Sequence, residues 1–180
     1  MEYVYQLNLP SLETILKKNV INAVDRCSAP ILKINPEEFF NDRILEIKNL
    51  NWNHGIVFKK HVLYRGPIHI DGYGNMIDKL VWGINWVHGA NGGMEYWEND
   101  YEQSLTHDLA GLPRLDIKTN KPADKIYPTV SGKVYLINAS IPHLAYNSSA
   151  YLNRYAVSIR DMDASFTWNQ VVDLFSDLVI

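Results

Sequence analysis

The spacing of apolar positions changes near residue 50. Before it, Leu12, Ile15, Leu16, Asn19 and Ala23 form one mostly apolar stripe at helical spacing, with Ser11, directly after Pro10, as its cap. Asn35-Pro36-Glu37-Glu38 is a second helix start: a cap, a proline at the first helical position and a glutamate three residues after the cap. Phe39, Phe40, Ile44 and Ile47 supply its face. After Asn51 the pattern shortens. Ile56-Val57-Phe58, Leu80 to Val87, Gly93 to Trp97, Lys133 to Ile137 and Arg154 to Ile159 are β-branched and aromatic runs separated by Gly, Pro, Asn and Ser, which predicts strands. From Glu98 to Lys125 the chain is polar, with Pro113, Pro122 and no sustained period, and reads as a long insertion of the kind that serves as a lid or binding loop. Val171, Val172, Phe175, Leu178 and Val179 then share one helical face. The expectation is a mainly β protein with flanking helices: a helical buttress over 1–50, a β core over 51–163 and a C-terminal helix over 164–180. With 180 residues the chain suits one domain.

Charge and cysteine content narrow the partners. A net charge of −3 and a pI near 6.0 offer no basic face for phosphates, so nucleic acid is a disfavoured partner. The single cysteine, Cys27, excludes an intramolecular disulfide and a cysteine-rich zinc site. Met1 to Pro10 lacks the basic start and apolar run of a signal peptide, and no apolar stretch approaches the roughly 20 residues of a membrane span. A cytoplasmic location without a membrane partner is expected.

The candidate chemistry starts at His69-Ile70-Asp71-Gly72-Tyr73-Gly74. Side chains at i and i+2 of a strand leave from one face, so His69 and Asp71 project together. Such a pair is a salt bridge, a proton-transfer pair or two metal ligands. Pro142-His143, after the strand-like Val134 to Ile137, supplies a second histidine. Two histidines and one carboxylate are the ligand set of non-haem Fe(II) oxygenases, the alternative for His143 being a structural loop histidine. In Asn153 to Arg160, the residues Arg154, Ala156, Ser158 and Arg160 share one strand face. Two arginines on an inner face require an anion, and a dicarboxylate is one; on an edge strand they would instead face solvent.

These stretches, in order, carry a family resemblance. HID at 69–71, GGMEYW at 92–97, VYLINASIPHLAYN at 134–147 and RYAVSIR at 154–160 resemble the successive signatures of 2-oxoglutarate- and Fe(II)-dependent oxygenases. The Arg-Tyr-Ala-aliphatic-hydroxyl run is most similar to the prolyl hydroxylase branch, and the match covers about residues 60–163. It implies a double-stranded β-helix, a cupin-like jelly-roll with the metal near its mouth. It also implies Fe(II) held by His69, Asp71 and His143, the distal carboxylate of 2-oxoglutarate on Arg154, and polar support from Asn85 and Ser158. The alternative for Asn85 is a strand asparagine bonded to neighbouring backbone. Arg160 departs from the prolyl-hydroxylase pattern. Its spacing from Arg154 resembles the R-x-N-x-T-x-R run of the DNA-dealkylating branch, with Ala156 in place of the asparagine, which leaves Arg160 as a second candidate for the co-substrate or as a substrate contact.

The implied reaction uses dioxygen, with ascorbate as an accessory reductant, and releases succinate and CO2. Because Asp71 is retained, hydroxylation of a C–H bond is expected over halogenation. The expected substrate is a small molecule, an amino acid or a peptidyl residue. Trp82, Trp86, Tyr96, Trp97 and Tyr146 read chiefly as core, and His107, Asp108 and Arg114 as lid or solvated loop. Two alternatives remain. A non-enzymatic jelly-roll ligand-binding module predicts His69 and His143 far apart. A cupin-type metal enzyme without a keto acid would favour H-x-H over H-x-D and leave Arg154 without a task.

Overall fold

The computed structural model of the chain describes residues 1–16, 30–72, 79–107, 113–161 and 166–180. Every run expected to be a strand is one: β3 (Trp52–Lys60), β5 (Trp82–Gly89), β6 (Gly92–Tyr96), β10 (Val134–Asn138) and β12 (Arg154–Asp161). With β1 (Val4–Leu7), β2 (Ile31–Ile34), β4 (His69–Asp71), β7 (Glu102–His107), β8 (Pro113–Lys118), β9 (Lys125–Thr129) and β11 (His143–Asn147) they build two six-stranded antiparallel sheets. The first sheet runs β1-β10-β5-β12-β3-β2 and the second β7-β8-β4-β11-β6-β9.

The first sheet is covered on both faces. On its outer side Trp82, Ile84, Trp86, Val134, Leu136, Val157 and Ile159 pack with buried residues of the N-terminal segments and the C-terminal helix. Phe40 meets Trp86 at 5.6 Å and Phe175 meets Trp82 at 5.7 Å between ring centroids. On the inner side Val87, Tyr135 and Ile137 pack with Met94 and Tyr96 of the second sheet. The alternation that sends odd residues of β12 outward therefore sends Arg154, Ala156, Ser158 and Arg160 between the sheets.

Over its described residues, 1–16 and 30–50, the expected helical buttress is corrected by the structure. These residues contribute two strands, β1 and β2, which edge the first sheet, together with the single-turn helices α1 (Leu12–Ile15), α2 (Pro36–Phe39) and α3 (Asp42–Leu45) and a 3-10 turn over Ile47–Asn49. The cap at Asn35 forms: its side chain accepts from the Glu37 N–H at 3.1 Å and donates to the Glu38 carboxylate at 3.2 Å. Phe40 then turns to extended backbone, ending the helix so that its ring enters the core. Ser11 precedes α1 but its side chain makes no capping bond, and Asn19, Ala23 and Cys27 lie outside the described residues.

The expected insertion over 98–125 is also corrected. Its described residues include β7 and β8, which pair with each other and extend the second sheet, β8 lying directly beside β4. At the C-terminus, α4 (Trp168–Leu174) begins with a complete capping box between Thr167 and Gln170. Val171 and Phe175 are fully buried, while Leu178 and Val179 pack against the same core after the helix has ended. Among the described residues no helix is long and apolar enough to cross a membrane.

Candidate metal centre

His69 and Asp71 project from β4, and His143 opens the neighbouring β11, where it is the direct cross-strand partner of His69. Residues directly opposite in an antiparallel pair have Cβ atoms about 5 Å apart. The i, i+2 pair and its cross-strand neighbour therefore form a triangle. The His69 and His143 ring centroids lie 4.6 Å apart, and His69 Nε2 is 3.3 Å from Asp71 Oδ1. One ligand atom from each of the three side chains lies within 4.8 Å of the others, an arrangement able to hold a metal ion. The wide separation of the histidines expected for a non-enzymatic binding module is not what the structure has.

Each histidine is oriented through its other nitrogen. Nδ1 of His69 donates to the Pro67 carbonyl at 2.9 Å, and Nδ1 of His143 to the Ile141 carbonyl at 2.8 Å. This fixes the tautomer that leaves Nε2 free as a ligand. Burial, with the neighbouring His69, pushes the His143 imidazole down to about 4, so it is neutral at physiological pH. Burial alone would raise the Asp71 carboxyl. The Arg160 guanidinium, 2.8 Å from Asp71 Oδ2, and the two histidines instead hold it well below the usual carboxylate range. Two imidazoles and one anchored carboxylate suit a divalent first-row transition ion.

The two arginines have different partners. Arg160, 3% exposed, is bonded to the triad's carboxylate, so it positions Asp71. Arg154, 2% exposed, has no carboxylate partner among the described residues. One guanidinium nitrogen donates to Thr129 Oγ1 at 2.9 Å, and Nε has no partner. Burial brings its value down to about 10, which leaves it charged at neutral pH. Because β12 lies between β3 and β5, the alternative of solvated edge-strand arginines does not hold. Gly92 makes room for Arg154: a Cβ there would fall 2.9 Å from Arg154 Cδ and 2.0 Å from the Tyr146 carbonyl oxygen.

A cavity of about 440 Å³ lies between the sheets and brings His69, Asp71, His143, Asn85, Arg154 and Arg160 to one surface. Asn85 is buried with its side-chain oxygen unpartnered, so the alternative of bonding to neighbouring backbone is not met at that atom. Ser158, its cross-strand partner, is fully buried with a free hydroxyl oxygen but does not reach the cavity wall. Trp82 and Trp86 belong to the outer core and Trp97 is buried, whereas Tyr96 packs 5.7 Å from the His143 ring. His107 is exposed at the end of β7. Tyr73, Gly74 and Asp108 lie outside the described residues.

Two neighbours of Arg154 escape the sequence reading: Lys60, which lines the cavity, and Thr129, which does not. Lys60 is the cross-strand partner of Arg154, and Thr129 meets Arg154 from the second sheet. Both reach the site by pairing between distant strands, for which a linear pattern has no sign. Burial, and then the charge of Arg154, pull the Lys60 ammonium down to about 8.

No family model and no curated protein matches the chain. Among solved structures, the crystal structure of EvdMO1 is similar at 15% identity with a TM-score of 0.37. That match covers 91% of this chain and 36% of EvdMO1, a likeness too low to define fold or family.

Proposed function

We propose that the protein is a 2-oxoglutarate-dependent non-haem Fe(II) dioxygenase that hydroxylates a C–H bond of a small molecule, an amino acid or a peptidyl residue. The observation that carries this reading is Arg154: a buried guanidinium without a carboxylate partner among the described residues, in the same cavity as a His-Asp-His triangle. A buried cation with unused donors costs stability unless a ligand completes it, and one planar carboxylate group of a dicarboxylate fits the fork. The winding supports the reading too. From β3 to β6 and from β9 to β12 the chain alternates between the two sheets, as in a double-stranded β-helix.

His69, Asp71 and His143 would hold the iron, and three protein ligands leave the opposite face of the ion for small ligands. When bound, Fe(II) supplies the oxidative step that couples decarboxylation of 2-oxoglutarate to hydroxylation by dioxygen. The residues of this chain bind, orient and exclude. Arg154, oriented by its bond to the Thr129 hydroxyl, holds the distal carboxylate, Asn85 offers a polar contact along the cavity wall, and Arg160 keeps Asp71 ionised and aimed. Met94, Ile137 and Ala156 line the remainder with apolar surface that displaces water. Ascorbate would act as an accessory reductant and succinate would leave as product. A reducing cytoplasm, which keeps iron ferrous, is the compartment this reading implies.

The test is anaerobic titration of the Fe(II)-loaded protein with 2-oxoglutarate, followed through the visible charge-transfer band and by calorimetry. Saturable binding that falls at least 100-fold in Arg154→Ala, with metal affinity retained, is expected; binding indifferent to Arg154 sinks the reading. Succinate formation in air is the second readout.

A further inference from the structure

A second cavity, about 690 Å³ and open to solvent, leaves the triad in another direction. It shares Phe58, Lys60, His69 and Asp71 with the cavity that holds Arg154, but none of Arg154, Asn85 or His143 lines it. Its own walls are Pro30, Ile31, Tyr64, Pro67 and Arg114. Two recesses meeting at one metal face are the arrangement a two-substrate enzyme needs.

The charges in this recess are unequal. Asp71 is matched by Arg160 at 2.8 Å and Arg114 by Asp116 at 2.9 Å. Lys60 is matched by neither: its ammonium lies 4.9 Å from the Tyr64 ring centroid and makes no hydrogen bond or ion pair with the described residues. Arg114 also keeps a spare donor, since its Nε is buried without a partner. The recess therefore holds one uncompensated positive charge beside apolar and aromatic walls.

We infer that this recess takes the substrate to be hydroxylated, and that the substrate is a small molecule with one carboxylate on an apolar body, its carboxylate held by Lys60 and Arg114 and its body lying along Ile31, Phe58 and Tyr64. This rests on the oxygenase reading for the word substrate. A carboxylate, with two oxygens and one charge, matches the two open donors of the recess, the Lys60 ammonium and Arg114 Nε. Lys60 lies on β3 between the two cavities, so a carboxylate there keeps the substrate body next to His69 and Asp71.

The experiment uses the Co(II)-loaded full chain saturated with 2-oxoglutarate. Its probes are straight-chain and phenyl-substituted monocarboxylates of three to ten carbons, each paired with its neutral primary amide, and binding is read from the cobalt spectrum and ligand NMR. At least one carboxylate is expected to bind at least 10-fold more tightly than its amide. That preference should vanish in Lys60→Met, weaken in Arg114→Gln and return in Lys60→Arg. No carboxylate preference in any pair, or a preference that survives Lys60→Met, overturns the inference. So does Lys60→Met weakening 2-oxoglutarate as much as the probe, which would assign the lysine to the keto acid. The two readings fail separately. Binding of 2-oxoglutarate without Lys60-dependent probe binding removes only the substrate assignment, and Lys60-dependent probe binding by a protein indifferent to 2-oxoglutarate removes only the oxygenase.

Discussion

Strand β12 presents Tyr155, Val157 and Ile159 to the outer side of its sheet and Arg154, Ala156, Ser158 and Arg160 to the inner side, and all seven are buried. The outer side meets Trp82, Ile84, Trp86 and the C-terminal segment, where each large apolar side chain removed from water contributes roughly 1.5–3 kcal/mol. On the inner side, Asn85 Oδ1, Ser158 Oγ and the Nε atoms of Arg154 and Arg160 have no partner, and a buried unsatisfied polar group costs about 1–3 kcal/mol. One sheet thus carries a stabilising face and a costly one. The difference teaches that the outer core stabilises a sheet whose inner surface keeps polar groups without partners among the described residues.

The largest effect that sharpens this contrast is expected at Phe175. Its ring is fully buried against Trp82 and Trp52, so Phe175→Ala should lower unfolding free energy by about 3–5 kcal/mol in urea titration. Affinity for Co(II) in the folded protein should stay within about threefold, because no triad residue touches the ring. Equal losses of stability and metal affinity would mean the two faces are one unit.

Lys60 tests the costly face. Its folded value, about 8, lies below the ordinary 10.5, so between those pH values the unfolded chain binds the additional proton and this group's contribution to stability rises with pH. Below pH about 8 both states are protonated and the whole penalty is present, up to about 3 kcal/mol. Lys60→Met should therefore be more stable than wild type at pH 7 in ligand-free protein, and the gap should close as pH approaches 10.5. A destabilised variant, or a gap independent of pH, would show that the ammonium is satisfied.

A smaller effect is expected at Arg160, where the inner face supports the candidate metal ligand Asp71 directly. Arg160→Met leaves Asp71 without its 2.8 Å partner, and loss of such a support typically costs 10- to 100-fold in metal affinity. Competition against a chromophoric chelator measures it; unchanged affinity would mean that the two histidines and Asp71 need no external orientation.

How far the sequence reveals these two faces depends on the kind of signal. The alternation in Arg154 to Ile159 predicts both faces of β12 correctly, because a central strand is buried on both sides and its polar residues stand out. The H-x-D spacing and the later histidine likewise identify the triad. Elements whose own pattern is too short are missed. β1 and β2 are four-residue edge strands with one partner each, and β7 is exposed along most of its length. None of them shows a hydrophobic alternation long enough to read. Lys60 is missed, and Arg114 is read only as lid or solvated loop, for another reason: they reach the cavities through register, Lys60 opposite Arg154 and Arg114 opposite Asp71. Register belongs to the assembled sheets.

The smallest predicted effect lies where the outer face is closed by local structure alone. Thr167 accepts from the Gln170 N–H, and the Gln170 side chain accepts from the Thr167 N–H at 2.8 Å, which satisfies two otherwise unpaired N–H groups at the start of α4. That helix delivers Val171 and Phe175 into the outer core, so the cap is coupled to the stabilising face and remote in function from the triad. Thr167→Ala should cost about 1 kcal/mol in unfolding free energy, and Thr167→Ser, which keeps the hydroxyl, should recover most of it. Metal affinity should not move. A loss well above 2 kcal/mol would mean that the cap holds more than its own turn, and that the C-terminal segment docks as a single unit whose release opens the outer core before the inner face is disturbed.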